Sequence, residues 1–180
     1  MLDQTKLPLT DDRVRLRPLR DADATAYAAG SADTDVRRHA HLPEPEYTPE
    51  SVRRMIERDA RPGLERGDLA VLAIAEASSD AFAGSLVLFD VAADRAEVGF
   101  WLHPDARGKG YASAALALAA EFARASGLTT LTARTVTDNA GSQRVLDAAG
   151  FEQRGSETGV APSGHKVELM HYALSLHDRA

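Results

Sequence analysis

The sequence predicts a mixed α/β fold: a central, mostly antiparallel sheet of about six or seven strands with helices on both faces. Three observations carry this reading. Helical patterns fill the first third of the chain, and two period-two runs joined by a short polar turn follow them as a hairpin. Strand and helix then alternate to the end, an order that lays helices on both sides of a mixed sheet. The 180 residues, 44% of them hydrophobic, fit one domain, expected to span 1–180 with its core at 13–174.

Each element has its own signal. Arg13 to Pro18 alternates arginines with Val14 and Leu16, a short strand whose Arg13, Arg15 and Arg17, with Arg20, are expected to form a solvated edge face. Asp21 is the expected cap of a helix from Ala22 to Gly30. The polar stretch to about His41 carries no clear period. Thr48 caps the next helix, Pro49 suits its first position, and Val52, Met55 and Ile56 make its apolar stripe; Pro62-Gly63 is expected to end it. Leu69 to Ala77 and Phe82 to Val91 read as the hairpin. Arg95 to Leu102 is a further strand, with Val98, Phe100 and Leu102 alternating with Glu97, Gly99 and Trp101. A helix from Tyr111 to Ser126 stops at Gly127, and Thr129 to Val136, rich in Thr and Val, is the next strand. Asn139 caps a last helix that turns Val145, Leu146 and Ala149 inward and ends at Gly150; Phe151 to Glu157 and Lys166 to Leu174 close the chain as a strand pair.

The junction between the Arg95–Leu102 strand and the Tyr111 helix is chemically the most telling. Backbone N–H groups at a helix start have no intrahelical partner, and the macrodipole is positive there. Gly108 and Gly110 carry no Cβ, so an anion can approach those donors, and Arg107 and Lys109 add charge at the rim. A diphosphate suits this cradle. The dinucleotide fingerprint, however, requires Gly or Ala at Ser113 and an acidic residue roughly 20 positions on; both are missing, and no Gly-Lys-Ser/Thr P-loop occurs. A nicotinamide-dependent reductase therefore rests on Gly108-x-Gly110 alone.

The run Arg107-Gly108-Lys109-Gly110-Tyr111-Ala112 resembles the Gln/Arg-x-x-Gly-x-Gly/Ala loop of the GNAT N-acetyltransferases. A second block, from Asn139 through Ser142 to Gly150-Phe151, resembles the Asn-x-x-Ser…Gly-Phe segment of the same superfamily's ribosomal-protein N-acetyltransferase branch. The likeness covers most of the chain from Arg13 to Leu174. It implies a GNAT-like sheet splayed in the middle, acetyl-coenzyme A with its pyrophosphate on the 107–112 loop, and a pantetheine arm along the backbones of Trp101, Leu102 and His103. It also implies that Asn139 donates to a pantetheine carbonyl as well as capping its helix, and that Ser142 stands near the sulfur. Many GNAT members place a tyrosine general acid in that helix, and none lies between Asn139 and Phe151 here.

Two residues are candidate catalysts. An ε-ammonium of pKa near 10.4 costs about 4 to 5 kcal/mol to deprotonate at pH 7 and an α-ammonium near 7.7–8.0 only about 1. A base matters accordingly, and on the resemblance Glu97 lies beside the opening, either as that base or as a cross-strand partner of an arginine. Ser142 is either a weak donor to the departing thiolate or only a second helix-cap hydrogen bond; Tyr172 is a fallback acid or a sheet aromatic. The six histidines show no compact ligand spacing, so no metal is expected, while His39 and His41 fall in a segment that the family uses for its acceptor.

Composition bounds the rest. A net charge of −6 argues against a nucleic-acid partner, zero cysteines exclude disulfides and a cysteine acyl-enzyme, and the start Met-Leu-Asp-Gln-Thr-Lys lacks an apolar leader. A cytoplasmic monomer or homodimer without membrane contact is expected. The function implied is transfer of an acetyl group from acetyl-coenzyme A to a primary amine, a protein N-terminus or a small molecule, by direct attack in a ternary complex. The alternative is a non-catalytic acyl-coenzyme A sensor or partner-binding module.

Overall fold

The computed structural model describes residues 1–40, 42–160 and 166–177. His41 and the Gly-, Pro- and Ser-bearing loop between the last two strands, including His165, fall largely outside that range. Eight strands make one sheet: β1 (Leu9–Thr10), β2 (Val14–Pro18), β3 (Ala70–Glu76), β4 (Phe82–Phe89), β5 (Arg95–Leu102), β6 (Thr130–Val136), β7 (Glu152–Val160) and β8 (Lys166–Ser175). Their order is β1-β2-β3-β4-β5-β6-β8-β7. The two-residue β1, which has no hydrophobic period of its own, takes the count one above the expected range.

Every neighbouring pair is antiparallel except β5 and β6. The chain returns between those two through helix α5 (Tyr111–Ala125), and a helical crossover leaves its strands parallel. Their pairing covers only Arg95↔Thr130, Ala96↔Leu131 and Glu97↔Thr132. Past Glu97, β5 stays with β4 as far as Leu102 while β6 follows β8 as far as Val136. The sheet thus opens in the middle, the splay that the resemblance implied.

Alternation sorts each strand between two cores. Val14, Leu16, Leu72, Ile74, Leu86, Leu88, Val98 and Leu131 face α5, whose Ala115, Ala119 and Ala123 let Leu116 and Phe122 press close; Leu146 of α6 (Ala140–Ala148) joins them. On the other face Ala73 and Trp101 meet α1 (Ala24–Ser31), α2 (Thr34–His39) and α3 (Pro49–Met55) through Tyr27, Val36 and Val52, with Ile56 just past the end of α3. Tyr27 stands edge-on to Trp101, ring centres 5.1 Å apart.

Four expectations need correction. Asp21 does not cap the first helix: a 3-10 turn, Asp21–Asp23, precedes α1, and Asp23 accepts from the Arg20 N–H at 3.0 Å. The unreadable stretch contains α2, capped by Asp33 through the Val36 N–H. Pro62-Gly63 does not end the third helix. A π turn, Ile56–Ala60, links α3 to α4 (Arg61–Arg66), where Pro62 sits at the start and its missing N–H costs little; the helix closes at Gly67. Nor do the four arginines form one solvated edge, although Arg13 and Arg20 are exposed. β2 lies inside the sheet, Arg17 is buried, and its guanidinium takes both oxygens of Asp23 at 2.8 and 2.9 Å and Asp80 at 2.9 Å. Such a charge is buried only because it is paired.

Candidate active site

The end of β5 builds the anion cradle. His103 donates its N–H to the Ala83 carbonyl at 2.8 Å, a 3-10 turn of Pro104–Ala106 follows, and Gly108 and Gly110 take φ of +75° and +76° before α5 starts. Both angles disfavour side chains. Gly110, the N-cap of α5, has no side chain to cap it, so among the described residues the first-turn N–H groups are left as donors. A Cβ on Gly108 would meet no atom within 4 Å, which leaves that side open; at Gly110 the neighbour is the Arg13 guanidinium. Arg13, exposed as expected, therefore also brings a cation to the cradle.

The charged side chains of the loop turn elsewhere. Arg107 holds Asp33 Oδ1 at 2.6 Å and approaches Asp35 at 3.7 Å. Lys109 Nζ lies 3.9 Å from Glu76, and Tyr111 donates its hydroxyl to the same Glu76 oxygen at 2.6 Å. That hydrogen bond, with one from Ser79, holds the Glu76 carboxyl below the usual range. A cleft of about 290 Å³ on this side is lined by Glu76, Phe82, His103, Asp105, Lys109 and Tyr111. Its two carboxylates repel an anion, so the side of the loop suited to one is the side with the uncapped N–H groups. Ala112 is buried and can contribute only its backbone.

Beyond Glu97 the edge of β5 has no strand partner toward β6, which leaves room for an extended chain to pair with it. Trp101 is buried among rings, Leu102 packs against the α5 core, and His103 lies against Gly30. The Trp101 and Leu102 side chains are packing groups, the His103 ring lines the cleft, and the His103 N–H is taken by β4, so of the three it is the Leu102 backbone that alternation turns toward the gap.

At the base of the gap Arg134 Nε donates to Glu97 Oε1 at 2.8 Å, from one diverging strand to the other. Glu97 is mostly buried, and its hydrogen bond is the largest cause holding the Arg134 guanidinium charged. Of the two arrangements open to Glu97, the structure contains the ion pair. At the far wall Asn139 caps α6, its Oδ1 accepting from the Ser142 N–H at 3.1 Å while its Nδ2 donates to Ser142 Oγ at 2.8 Å. Because the amide uses a lone pair of Oγ, the hydroxyl proton of Ser142 stays free to be given away.

The end of α2 joins segments a hundred residues apart. Arg38 reaches Asp138 Oδ2 at 2.6 Å, and His39 Nε2 lies 3.5 Å from Oδ1. Further along, His171 Nε2 faces Glu157 Oε1 at 3.0 Å, with Arg134 opposite His171 on β6. Among the described residues no cluster of three metal-ligating side chains exists, and no helix is long and apolar enough to cross a membrane. Buried Tyr172 lies on the α5 side of the sheet within the core. Arg13, Asp33, Arg134 and Asp138 were invisible as site residues in the sequence, since each acts through a partner distant in the chain.

Comparison with known proteins agrees with this geometry. The acetyltransferase (GNAT) domain family matches residues 13–152. No curated protein matches the chain. Mycobacterium smegmatis RimJ in complex with CoA-disulfide superposes with a TM-score of 0.81 at 23% identity, over 90% of this chain and 81% of that one. The ribosomal-protein-S5-alanine acetyltransferase from Vibrio fischeri gives 0.83 at 15% identity, over 97% and 99%. The microcin C7 self-immunity acetyltransferase MccE, in complex with acetyl-CoA and AMP, gives 0.80 at 18%, over 92% and 93%. At these identities the likeness is one of fold.

Proposed function

The chain belongs to the GNAT acetyltransferase family, and from that premise we propose that it moves an acetyl group from acetyl-coenzyme A to the α-amine of a protein or peptide. The observation that carries the reading is the pairing of an uncapped α5 N-terminus, open at Gly108, with a β5 edge that loses its β6 partner after Glu97. A diphosphate fits the first and an amide-bearing arm the second, and structural neighbours hold coenzyme A or acetyl-coenzyme A.

Bound acetyl-coenzyme A supplies a thioester whose sulfur is a tolerable leaving group. The chain's own residues do the remainder. Backbone donors at 108–112, with Arg13 beside Gly110, hold the anionic end. Asn139 fixes Ser142, and Ser142 Oγ–H supplies a proton at the start of α6. Glu97 and Arg134 hold the two sides of the opening together.

Two points favour an α-amine acceptor. Glu97, the carboxylate at the base of the gap, already serves a guanidinium, and an α-ammonium needs about 1 kcal/mol to deprotonate at pH 7 where a lysine needs about 4 to 5. A direct attack in a ternary complex follows from the lack of any cysteine to carry the acyl group. The sensor alternative has no observation in its favour. The test is thiol release from acetyl-coenzyme A with a panel of α-amino peptides, lysine peptides and small amines, with products identified by mass spectrometry. Acetylated peptide N-termini are expected. Transfer confined to lysine or small amines would refute the acceptor class, and coenzyme A binding without transfer to any amine would refute the enzyme reading.

A further inference from the structure

We propose that His39 is the proton acceptor for the incoming amine and that Asp138 is the residue that positions it. The inference rests on the acetyltransferase reading and adds to it a residue pair for the base, a role that the Glu97–Arg134 ion pair leaves unfilled.

His39 is the last residue of α2, and its Nε2 is closed off from solvent without a hydrogen bond. Asp138 Oδ1 faces it at 3.5 Å, from which a shift of about half an ångström makes a hydrogen bond. Arg38 holds the other oxygen at 2.6 Å, so the carboxylate is pinned in front of the ring by the residue next to His39. Helix α1, which packs on α2, is Ala-Thr-Ala-Tyr-Ala-Ala-Gly-Ser and brings no charge. Asp138, from the turn after β6, and Arg38, from its own helix, are the charged groups that the ion-pair geometry sets at His39.

Position links this pair to the chemistry. Asp138 is the neighbour of Asn139, whose amide holds Ser142 Oγ. One turn of chain thus carries the carboxylate that faces the imidazole and the hydroxyl that serves the leaving group. A carboxylate at Nε2 selects the tautomer with its proton there and leaves the Nδ1 lone pair as the base.

The proton count closes. One proton passes from the ammonium to His39 Nδ1, and the freed lone pair forms the N–C bond. As the C–S bond breaks, the sulfur leaves with the bonding pair, and the second nitrogen proton passes to it by way of the Ser142 hydroxyl, which is restored. His39 then returns its proton to water.

The test compares pH profiles of kcat/KM for acetylation of an α-amino peptide at saturating acetyl-coenzyme A. In wild type the profile is expected to bend where the general base takes up its proton. His39→Asn should lose about tenfold at pH 7, lose that bend, and recover above about pH 8.5, where the amine is free without help. Added imidazole should restore part of the rate of His39→Ala. A second readout needs no turnover: imidazole ¹⁵N spectra should show His39 protonated at Nε2 in wild type and as mixed tautomers in Asp138→Asn. Coenzyme A binding by calorimetry should be unchanged in all three variants. A wild-type profile in His39→Asn, or protonation at Nδ1 in wild type, overturns the proposal. So does loss of the bend in His171→Asn with retention in His39→Asn, which would assign the role to the ring facing Glu157. A wild type that binds coenzyme A but acetylates no amine overturns the acetyltransferase reading and this one with it.

Discussion

Replacing Ser142 with alanine removes one hydroxyl and leaves the rest of its helix in place. The cap bond runs from the Ser142 backbone N–H to Asn139 Oδ1 at 3.1 Å and does not involve the side chain. What goes is the acceptor for Asn139 Nδ2, a 2.8 Å bond in a half-buried setting that water can replace, so stability should fall by only about 0.5–1.5 kcal/mol. Turnover should fall more. A thiol of pKa about 8.5 that departs unprotonated at pH 7 forgoes about 2 kcal/mol, a ceiling of roughly thirtyfold. We expect a loss of about ten- to thirtyfold in kcat with little change in the KM for acetyl-coenzyme A. The defect should shrink as pH rises past about 8.5, because the thiolate then gains nothing from a proton. The assay is thiol release with a chromogenic disulfide at saturating peptide and cofactor, with burst kinetics verifying that chemistry limits. A wild-type rate at pH 7, or a defect of constant size from pH 7 to 9, would leave Ser142 as a capping residue alone.

Further outcomes follow from the same geometry. Gly108→Asn and Gly108→Asp impose equal backbone strain at φ +75° and differ in charge, so calorimetry should show the aspartate weaker for coenzyme A by a further ten- to hundredfold; equal affinities would remove the diphosphate from this loop. Glu97→Gln keeps shape but leaves Arg134 without its anion; about 1 kcal/mol of stability should be lost in urea melts, while the pH profile on α-amino peptides stays that of wild type. An altered profile would restore Glu97 as the base. Hydrogen bonding to Arg17, then to Arg20, holds the Asp80 carboxyl below its ordinary value, so the stability it contributes is present above about pH 4 and lost as pH falls through the lowered value. Asp80→Asn, tolerable at φ +60°, should cost about 1–3 kcal/mol at pH 7 and progressively less as pH falls below about 4; a difference independent of pH would refute the linkage.

Much of the fold was legible because local rules and tertiary demands agree. β3 to β6 and α5 follow their hydrophobic periods, and Asn139 is a cap wherever its helix packs. Reading failed where a distant contact overrides a local rule. Pro62-Gly63 looks like a helix end, yet the π turn before it lets α4 continue onto Leu69 and the core. Arg17 looks like a solvated strand residue, yet Asp23 and Asp80 close around it.

The same division runs through the site. The sequence by itself determined the glycine turn and the uncapped start of α5, because a strand, two glycines and a helix start are contiguous, and their donors are backbone atoms whose placement depends on φ, ψ and the lack of a Cβ. It likewise determined the Asn139–Ser142 pair, three residues apart on one helix turn. Only the tertiary structure decided that β5 and β6 part after Glu97, that Arg134 takes the Glu97 carboxylate, that Arg13 stands at Gly110, and that His39 meets Asp138 across a hundred residues. Those are through-space meetings of side chains on separate elements. Coulomb energy falls with distance in space and is blind to distance along the chain, so no spacing in the sequence could have announced them.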